Sequence, residues 1–329
     1  MLKGKKVLIT GGTGSLGVAL TKRLLKTQVD TIRIYSRDEW KQTRMSEEIR
    51  DDRLRFLIGD IRDKERLSRS MENIDIVFHT AALKHVPIGE YNPFEAIKTN
   101  VIGTENVVES CLTNGVSKAI AIGTDKAVSP LNTYGATKLL MEKIFTSANF
   151  YKGKPSPEFL CVRYGNVLGS RGSILPKFLE QIGMRNEITI TDPKMTRFNI
   201  TMTQAVDLIF RALKYGKAGE IFVPKLKAYT VETMKNAILE LANKKVKQKR
   251  IPVRPGEKYH EMLITEGEIN WTSETKLDYI IQNPGIENII PGQPPRFKKT
   301  KLQEPYVSNK VEQVTKNELK KIIINEGLF

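Results

Sequence analysis

A chain of 329 residues, 40% hydrophobic and 27% charged, has room for one large domain or two and the composition of a folded globular protein. Its net charge of +16 raises nucleic acid or an anionic membrane as partners, but the basic runs at 243–250 and 298–301 hold no interleaved aromatics for base stacking, so a solvated basic face that draws in anionic substrates fits better. No apolar run is long enough to span a bilayer, and the first residues lead into a strand rather than a signal-peptide core, which points to the cytoplasm.

Residues 7–10 read as a short buried strand, followed at once by Gly11, Gly12, Thr13, Gly14, Ser15, Leu16 and Gly17. Leu16, Leu20 and Leu24 mark a helix after that loop. The glycines allow a tight turn, close approach of a phosphate to backbone and close helix–sheet packing, with the helix N-terminus facing a pyrophosphate. A second strand at 31–35 ends in Ser36, Arg37 and Asp38. An acid at this strand end suits a free ribose hydroxyl and an arginine suits a 2′-phosphate; Arg37, backed by Lys41 and Arg44, favours NADP. Asp38 leaves NAD open, or else caps the next helix. The third strand, 54–58, runs into Asp60 and Ile61, where Asp60 is placed to meet an adenine amine. The fourth, 75–78, is followed by Thr80, Ala81 and Ala82, small enough for backbone to pass a cofactor.

Two helical stretches follow, the longer over 93–114, and then a strand at 119–123 that ends in Thr124, Asp125 and Lys126. Asn132 is a plausible N-cap, and Ala136, Leu140 and Ile144 give the next helix an apolar stripe. Tyr134 and Lys138 stand four apart and share a helix face, where an ammonium can lower the phenol's pKa and make it a usable base. A sixth strand at 159–164 and a late one at 219–223 complete a doubly wound parallel α/β sheet of Rossmann type. The expected division is a dinucleotide-binding domain over 1–165 and a smaller substrate lobe over 166–329, from which the strand at 219–223 returns to the sheet. Within the lobe the loops at 165–173, 191–198 and 254–261 are rich in arginine and acids, which suit diphosphate oxygens and ribose hydroxyls. The proline-rich stretch 283–296 reads as irregular packing around the lobe, and a helix is expected near Lys316–Asn325. Cys111 and Cys161 read as buried thiols, and the three histidines have no metal-ligand spacing.

The glycine loop, Ala81-Ala-Leu-Lys-His-Val-Pro87, Thr124-Asp-Lys-Ala127, Tyr134-Gly-Ala-Thr-Lys138, Arg163-Tyr-Gly-Asn-Val167, Gly169-Ser-Arg-Gly-Ser173, Met195-Thr-Arg-Phe198 and Arg254-Pro-Gly-Glu-Lys258 together resemble the extended short-chain dehydrogenase/reductases. Within them the chain is most similar to soluble inverting UDP-N-acetylglucosamine 4,6-dehydratases of nucleotide-sugar and surface-polysaccharide biosynthesis. The resemblance covers roughly the first 265 residues; the tail departs from the family's Ser-Gly-Asn-Asn-like segment, reading Val307-Ser-Asn-Lys310. It implies a redox-neutral elimination with NADP, a UDP-sugar substrate, a homo-oligomer between dimer and hexamer, and no metal. Tyr134 takes the sugar 4-hydroxyl proton as carbon 4 gives up hydride, Lys138 orients the nicotinamide ribose, and Thr124 bonds the 4-hydroxyl. Lys126, as a neutral amine, takes the carbon 5 proton, and Asp125, as a carboxylic acid, protonates the departing 6-hydroxyl; the reverse division is open. Lys84 and Asn100 join the cofactor set, and Lys84, Asn166, Arg171, Ser173, Thr191, Met195, Arg197, Arg254 and Glu257 form the substrate set. Rival readings are a UDP-sugar 4-epimerase, which needs no acid/base pair at 125 and 126; a fucosamine-pathway dehydratase, whose branch tends to lack the helix tyrosine; and a non-catalytic NADP-binding regulator.

Overall fold

The computed structural model describes residues 1–151, 153, 157–185, 187–282 and 296–329. Six parallel strands come first: β1 (Lys6–Thr10), β2 (Thr31–Ser36), β3 (Leu54–Ile58), β4 (Ile76–His79), β5 (Lys118–Ile122) and β6 (Glu158–Val162). They lie in the order β3-β2-β1-β4-β5-β6, with β1 in register between β2 and β4. Val7, Leu8 and Ile9 point alternately to the two faces of β1, and all three are fully buried because helices cover both faces. On one face Leu20 and Leu24 of helix Ser15–Leu25 meet Leu208 and Ile209 of helix Met202–Tyr215. On the other, Val107 and Cys111 of helix Gly103–Thr113 pack with Met141 and Phe145 of helix Thr133–Tyr151. Both cysteines are free and buried, as their apolar settings suggest.

The late strand, Ile221–Pro224, does return to the sheet, parallel to β6. Three more strands were not legible: Asp278–Ile281, Thr272–Glu274 and Lys298–Lys299 extend that edge antiparallel to a total of ten strands. Their sequences are short and charged, with only a few buried apolar positions such as Ile280 and Ile281 to signal a strand. The expected packing role of 283–296 falls almost wholly outside the described residues; Arg296, which is described, donates to Tyr215 O at 2.7 Å and pairs with Glu220.

A separate core builds the lobe. Phe178 and Ile182 of helix Ile174–Arg185, Met234 and Ile238 of helix Val231–Ala242, and Leu319 and Ile323 of helix Lys316–Asn325 close on one another. The tail is therefore part of the lobe. A Thr315–Glu318 capping box starts its helix, and Tyr306–Val307 pairs antiparallel with Met262–Ile264.

Two helical expectations need correction. The stretch over 93–114 is broken into Pro93–Ile97, a π turn at Lys98–Ile102, and Gly103–Thr113. On helix Thr133–Tyr151 the inward stripe is Tyr134, Lys138, Met141 and Phe145, while Ala136 is exposed, Leu140 is 50% exposed and Ile144 only partly buried. Polar side chains hide that stripe from a hydrophobicity pattern, because each finds a partner inside. Asn132 does cap this helix, its Oδ1 accepting from Gly135 N at 2.8 Å.

Candidate active site

A cavity of about 1800 Å³ opens where β1, β2, β4 and β5 end, and the loops of the lobe form its other wall. Its floor at β1 is the glycine loop. Gly11 has a φ of 65°, and a Cβ there would lie 2.8 Å from the Ala81 backbone; a Cβ on Gly17 would meet Gly12 O at 2.4 Å. Gly14 begins helix Ser15–Leu25 with no side-chain cap, so first-turn N–H groups are left for an anion, and Gly14, Ser15, Leu16 and Gly17 all line the cavity. Thr13, Ser36, Arg37, Lys41, Asp60, Ile61, Ala81, Ala82 and Lys84 line it too. This cradle fits a dinucleotide: a tight pyrophosphate turn, then a polar strand end at Ser36 and Arg37 for the ribose. Asp38 takes the capping role, accepting from Lys41 N at 3.0 Å, and Arg37 reaches Asp60 at 3.4 Å.

Asn100 does not line the cavity. From the π turn its Oδ1 accepts from Leu83 N at 2.8 Å, and its Nδ2 donates to Leu83 O at 2.9 Å and to Thr137 Oγ1 at 3.0 Å. It shapes the β4 loop from behind. Met195 also lies off the surface, fully buried, with Sδ 3.3 Å from the Thr191 hydroxyl and 3.7 Å from Arg197 Nη2. It backs two residues that do line the wall.

At the end of β5, Thr124, Lys126, Tyr134 and Lys138 come together on the cavity surface. Asp125 is 1% exposed and sits behind Lys126 without lining the cavity. Lys126 Nζ donates to Asp125 Oδ1 and to Asn166 Oδ1, both at 3.0 Å, and stands 3.5 Å from Glu261 Oε1. Burial acts to neutralise this lysine, but the Asp125 and Glu261 carboxylates outweigh it and hold its pKa well above the ordinary lysine range. The expected neutral amine is thus not the resting state. Burial pushes the Tyr134 phenol up to about 12, against the Lys126 charge and a hydrogen bond with Thr124, which pull it down. Lys126 is the cation acting most strongly on that phenol, where Lys138 was expected. Lys138, buried with Nζ beside Met141 Sδ, is pushed down to about 8 by burial despite the nearby Glu142.

From the lobe, Asn166, Arg171, Ser173, Thr191, Arg197, Arg254 and Glu257 reach the cavity as expected. Arg197 Nη2 donates to Glu257 Oε1 at 3.0 Å, and Lys84 Nζ donates to Arg171 O at 2.9 Å. Charged lining residues that were given no individual role from the sequence include Lys177, Lys258 and Glu261. Lys258 Nζ donates to the main-chain carbonyls of Asp125, at 3.1 Å, and Val128, fixing the turn that carries Lys126. Glu261 is 2% exposed, and burial followed by the Asp125 charge raises its pKa above the usual carboxylate range. The only available signal was its place at the end of the loop that supplies Arg254 and Glu257. Such a site can bind a dinucleotide beside an anionic sugar nucleotide and move protons at the junction of the two.

Residues 7–283 match a family described as polysaccharide biosynthesis protein. An inverting UDP-N-acetylglucosamine 4,6-dehydratase of Campylobacter jejuni is 45% identical over 289 residues, covering 87% of this chain and 85% of its own. A UDP-glucose 4-epimerase of Rickettsia bellii is 39% identical over 334 residues, 99% of this chain and 97% of its own. The solved structure of Pen from Bacillus thuringiensis superimposes with a TM-score of 0.93 at 39% identity, covering 100% of this chain and 99% of that one. Dehydratases and epimerases solved with NAD bound, 20–22% identical, share the fold.

Proposed function

The chain belongs to that polysaccharide biosynthesis family of nucleotide-sugar dehydratases and epimerases, and on this premise we propose that it is an NADP-dependent UDP-N-acetylglucosamine 4,6-dehydratase that inverts carbon 5. One observation carries the reading: beside the Tyr134 phenol, the tip of β5 presents an amine hydrogen-bonded to a buried carboxylate, Lys126 on Asp125 at 3.0 Å. A 4-epimerase has no use for that pair, since its hydride returns to carbon 4 and no carbon 5 proton is removed. The Rickettsia relatives keep epimerisation as the second reading, because they match along the whole chain.

When bound, the nicotinamide supplies a temporary store of hydride, filled from carbon 4 and emptied at carbon 6. The protein's part is proton transfer and orientation. Tyr134 removes the 4-hydroxyl proton, with Thr124 and the Lys126 charge easing ionisation of the phenol. Lys126 starts as an ammonium and passes its proton to Asp125 Oδ1, within hydrogen-bond reach. The freed amine takes the carbon 5 proton, now acidified by the ketone at carbon 4, and hands it to the departing 6-hydroxyl, which leaves as water. Asp125, behind the surface, returns its proton through Lys126 instead of meeting the sugar directly. Inversion then requires a replacement proton from solvent to reach carbon 5 from the opposite face, while Tyr134 releases to solvent the proton it took from the 4-hydroxyl. Lys138 orients the nicotinamide ribose, while Arg171, Arg197 and Arg254 receive the diphosphate and Glu257 a ribose hydroxyl. Arg37 at the ribose end of the cradle supports NADP over NAD. Exposed Tyr91, Phe94 and Leu140, at 88%, 75% and 50%, support a homo-oligomer.

Mass spectrometry of purified protein incubated with UDP-N-acetylglucosamine tests the assignment. Loss of one water from the nucleotide sugar is expected; a product of unchanged mass that separates as the 4-epimer makes the chain an epimerase.

A further inference from the structure

At the tip of β5 the buried carboxylates Asp125 and Glu261 face Lys126, Arg197 and Lys258, and Glu261 has no part in the proton transfers above. Glu261 lies at the far end of the 254–261 loop, its side chain 3% exposed, with Oε1 3.5 Å from Lys126 Nζ and 3.6 Å from Arg197 Nε. Its Oε2 is buried and has no hydrogen-bond partner among the described residues, and neither has Asp125 Oδ2. An acid held this way is costly unless its charge is used. The tail fixes it in place: Glu261 N donates to Ser308 Oγ at 2.9 Å, and that hydroxyl also bonds the Thr196 hydroxyl at 2.6 Å. Ser308 is fully buried, so the tail is wedged beneath the site.

The geometry points to Glu261 as a positioning residue for the proposed dehydration: together with Asp125 it grips Lys126 at the cavity wall and holds it as an ammonium until substrate arrives. The inference rests on Lys126 being the proton-transfer residue of the reading above. Lys126 has three oxygen partners, Asp125, Asn166 and Glu261, of which two are carboxylates. Glu261 itself is faced by Asp125 and Lys126 from the β5 turn, by Arg197 from strand Thr196–Phe198, by Lys258 from its own loop, and by Tyr229 from strand Ala228–Thr230. Arg197 is also drawn to Glu257, at the shorter distance of 3.0 Å, and Lys126 is the cation that acts most strongly on Glu261. Removing that charge frees the lysine proton, whichever proton step Lys126 performs.

The test follows Lys126 itself, by carbon NMR of the full chain carrying labelled lysine, with the resonance identified through Lys126→Arg. In Glu261→Gln the Lys126 titration is expected to fall by about one pH unit or more, a tenfold weaker hold on its proton. Glu261→Asp, which keeps the charge on a shorter arm, gives a smaller fall in the same direction and decides the matter if the glutamine variant fails to fold. In turnover with UDP-N-acetylglucosamine, Glu261→Gln moves the Lys126 limb of the kcat profile to lower pH while KM stays within about threefold. A Lys126 titration unchanged in both variants, or a loss of activity equal at every pH, overturns the inference. Should the wild type prove not to dehydrate the sugar while the NMR shift is present, the functional reading fails and only the hold of Glu261 on the Lys126 proton stands.

Discussion

At the scale of single residues the account turns on which groups hold protons. Lys126→Ala is expected to cut dehydration by at least about a hundredfold while the protein still binds dinucleotide, measured by turnover alongside cofactor fluorescence; retained turnover removes Lys126 from the mechanism. Lys138 supports a prediction about stability. Its folded pKa of about 8 lies below the ordinary lysine value of 10.5. Between those values the unfolded chain binds more protons than the folded one, so stability rises with pH across the window, by about 3 kcal/mol for this group. Denaturant unfolding of Lys138→Met from pH 8 to 10 should show that rise flattened, and a slope equal to wild type contradicts the burial argument. Tyr134, Lys138 and Lys126 were legible because their chemistry depends on spacing along the chain. Glu261 was not, since its function comes from folding a distant loop back against β5.

At the scale of elements, an ion triad ties the two parts of the chain together. Arg163, just past β6, donates to Glu142 Oε2 at 2.8 Å on helix Thr133–Tyr151 and to Glu268 Oε1 at 2.9 Å on the short helix Glu266–Ile269. Arg163 and Glu142 are both nearly fully buried. Arg163→Met leaves the buried Glu142 unpaired and is expected to cost about 3–5 kcal/mol in urea unfolding. A loss under about 1 kcal/mol would mean that the triad adds little to the docking of lobe on sheet. The parallel strands were readable because burial on both faces demands unbroken apolar runs such as Val7-Leu8-Ile9. Edge strands such as Thr272–Glu274 lack that constraint, and the π turn at Lys98–Ile102 leaves no compositional trace.

At the scale of the whole molecule, the net charge of +16 and the cavity cations Lys84, Arg171, Lys177, Arg197 and Arg254 act together on an anionic substrate. Raising ionic strength from about 0.05 to 0.3 M should lower kcat/KM for a UDP-sugar about threefold or more with kcat little changed; a flat response denies steering by the basic surface. No helix among the described residues is long and apolar enough to cross a membrane. Four strands contributed from beyond residue 200 show that chain expected to belong to the lobe also builds the sheet. The central claim is that this sheet end oxidises a sugar briefly in order to expel water from it. Proton NMR of UDP-N-acetylglucosamine turned over in deuterated water tests that most directly. The account predicts a 4-keto-6-deoxy product carrying deuterium at an inverted carbon 5, with no net consumption of NADP⁺; a sugar that keeps its carbon 5 proton and its 6-hydroxyl contradicts it.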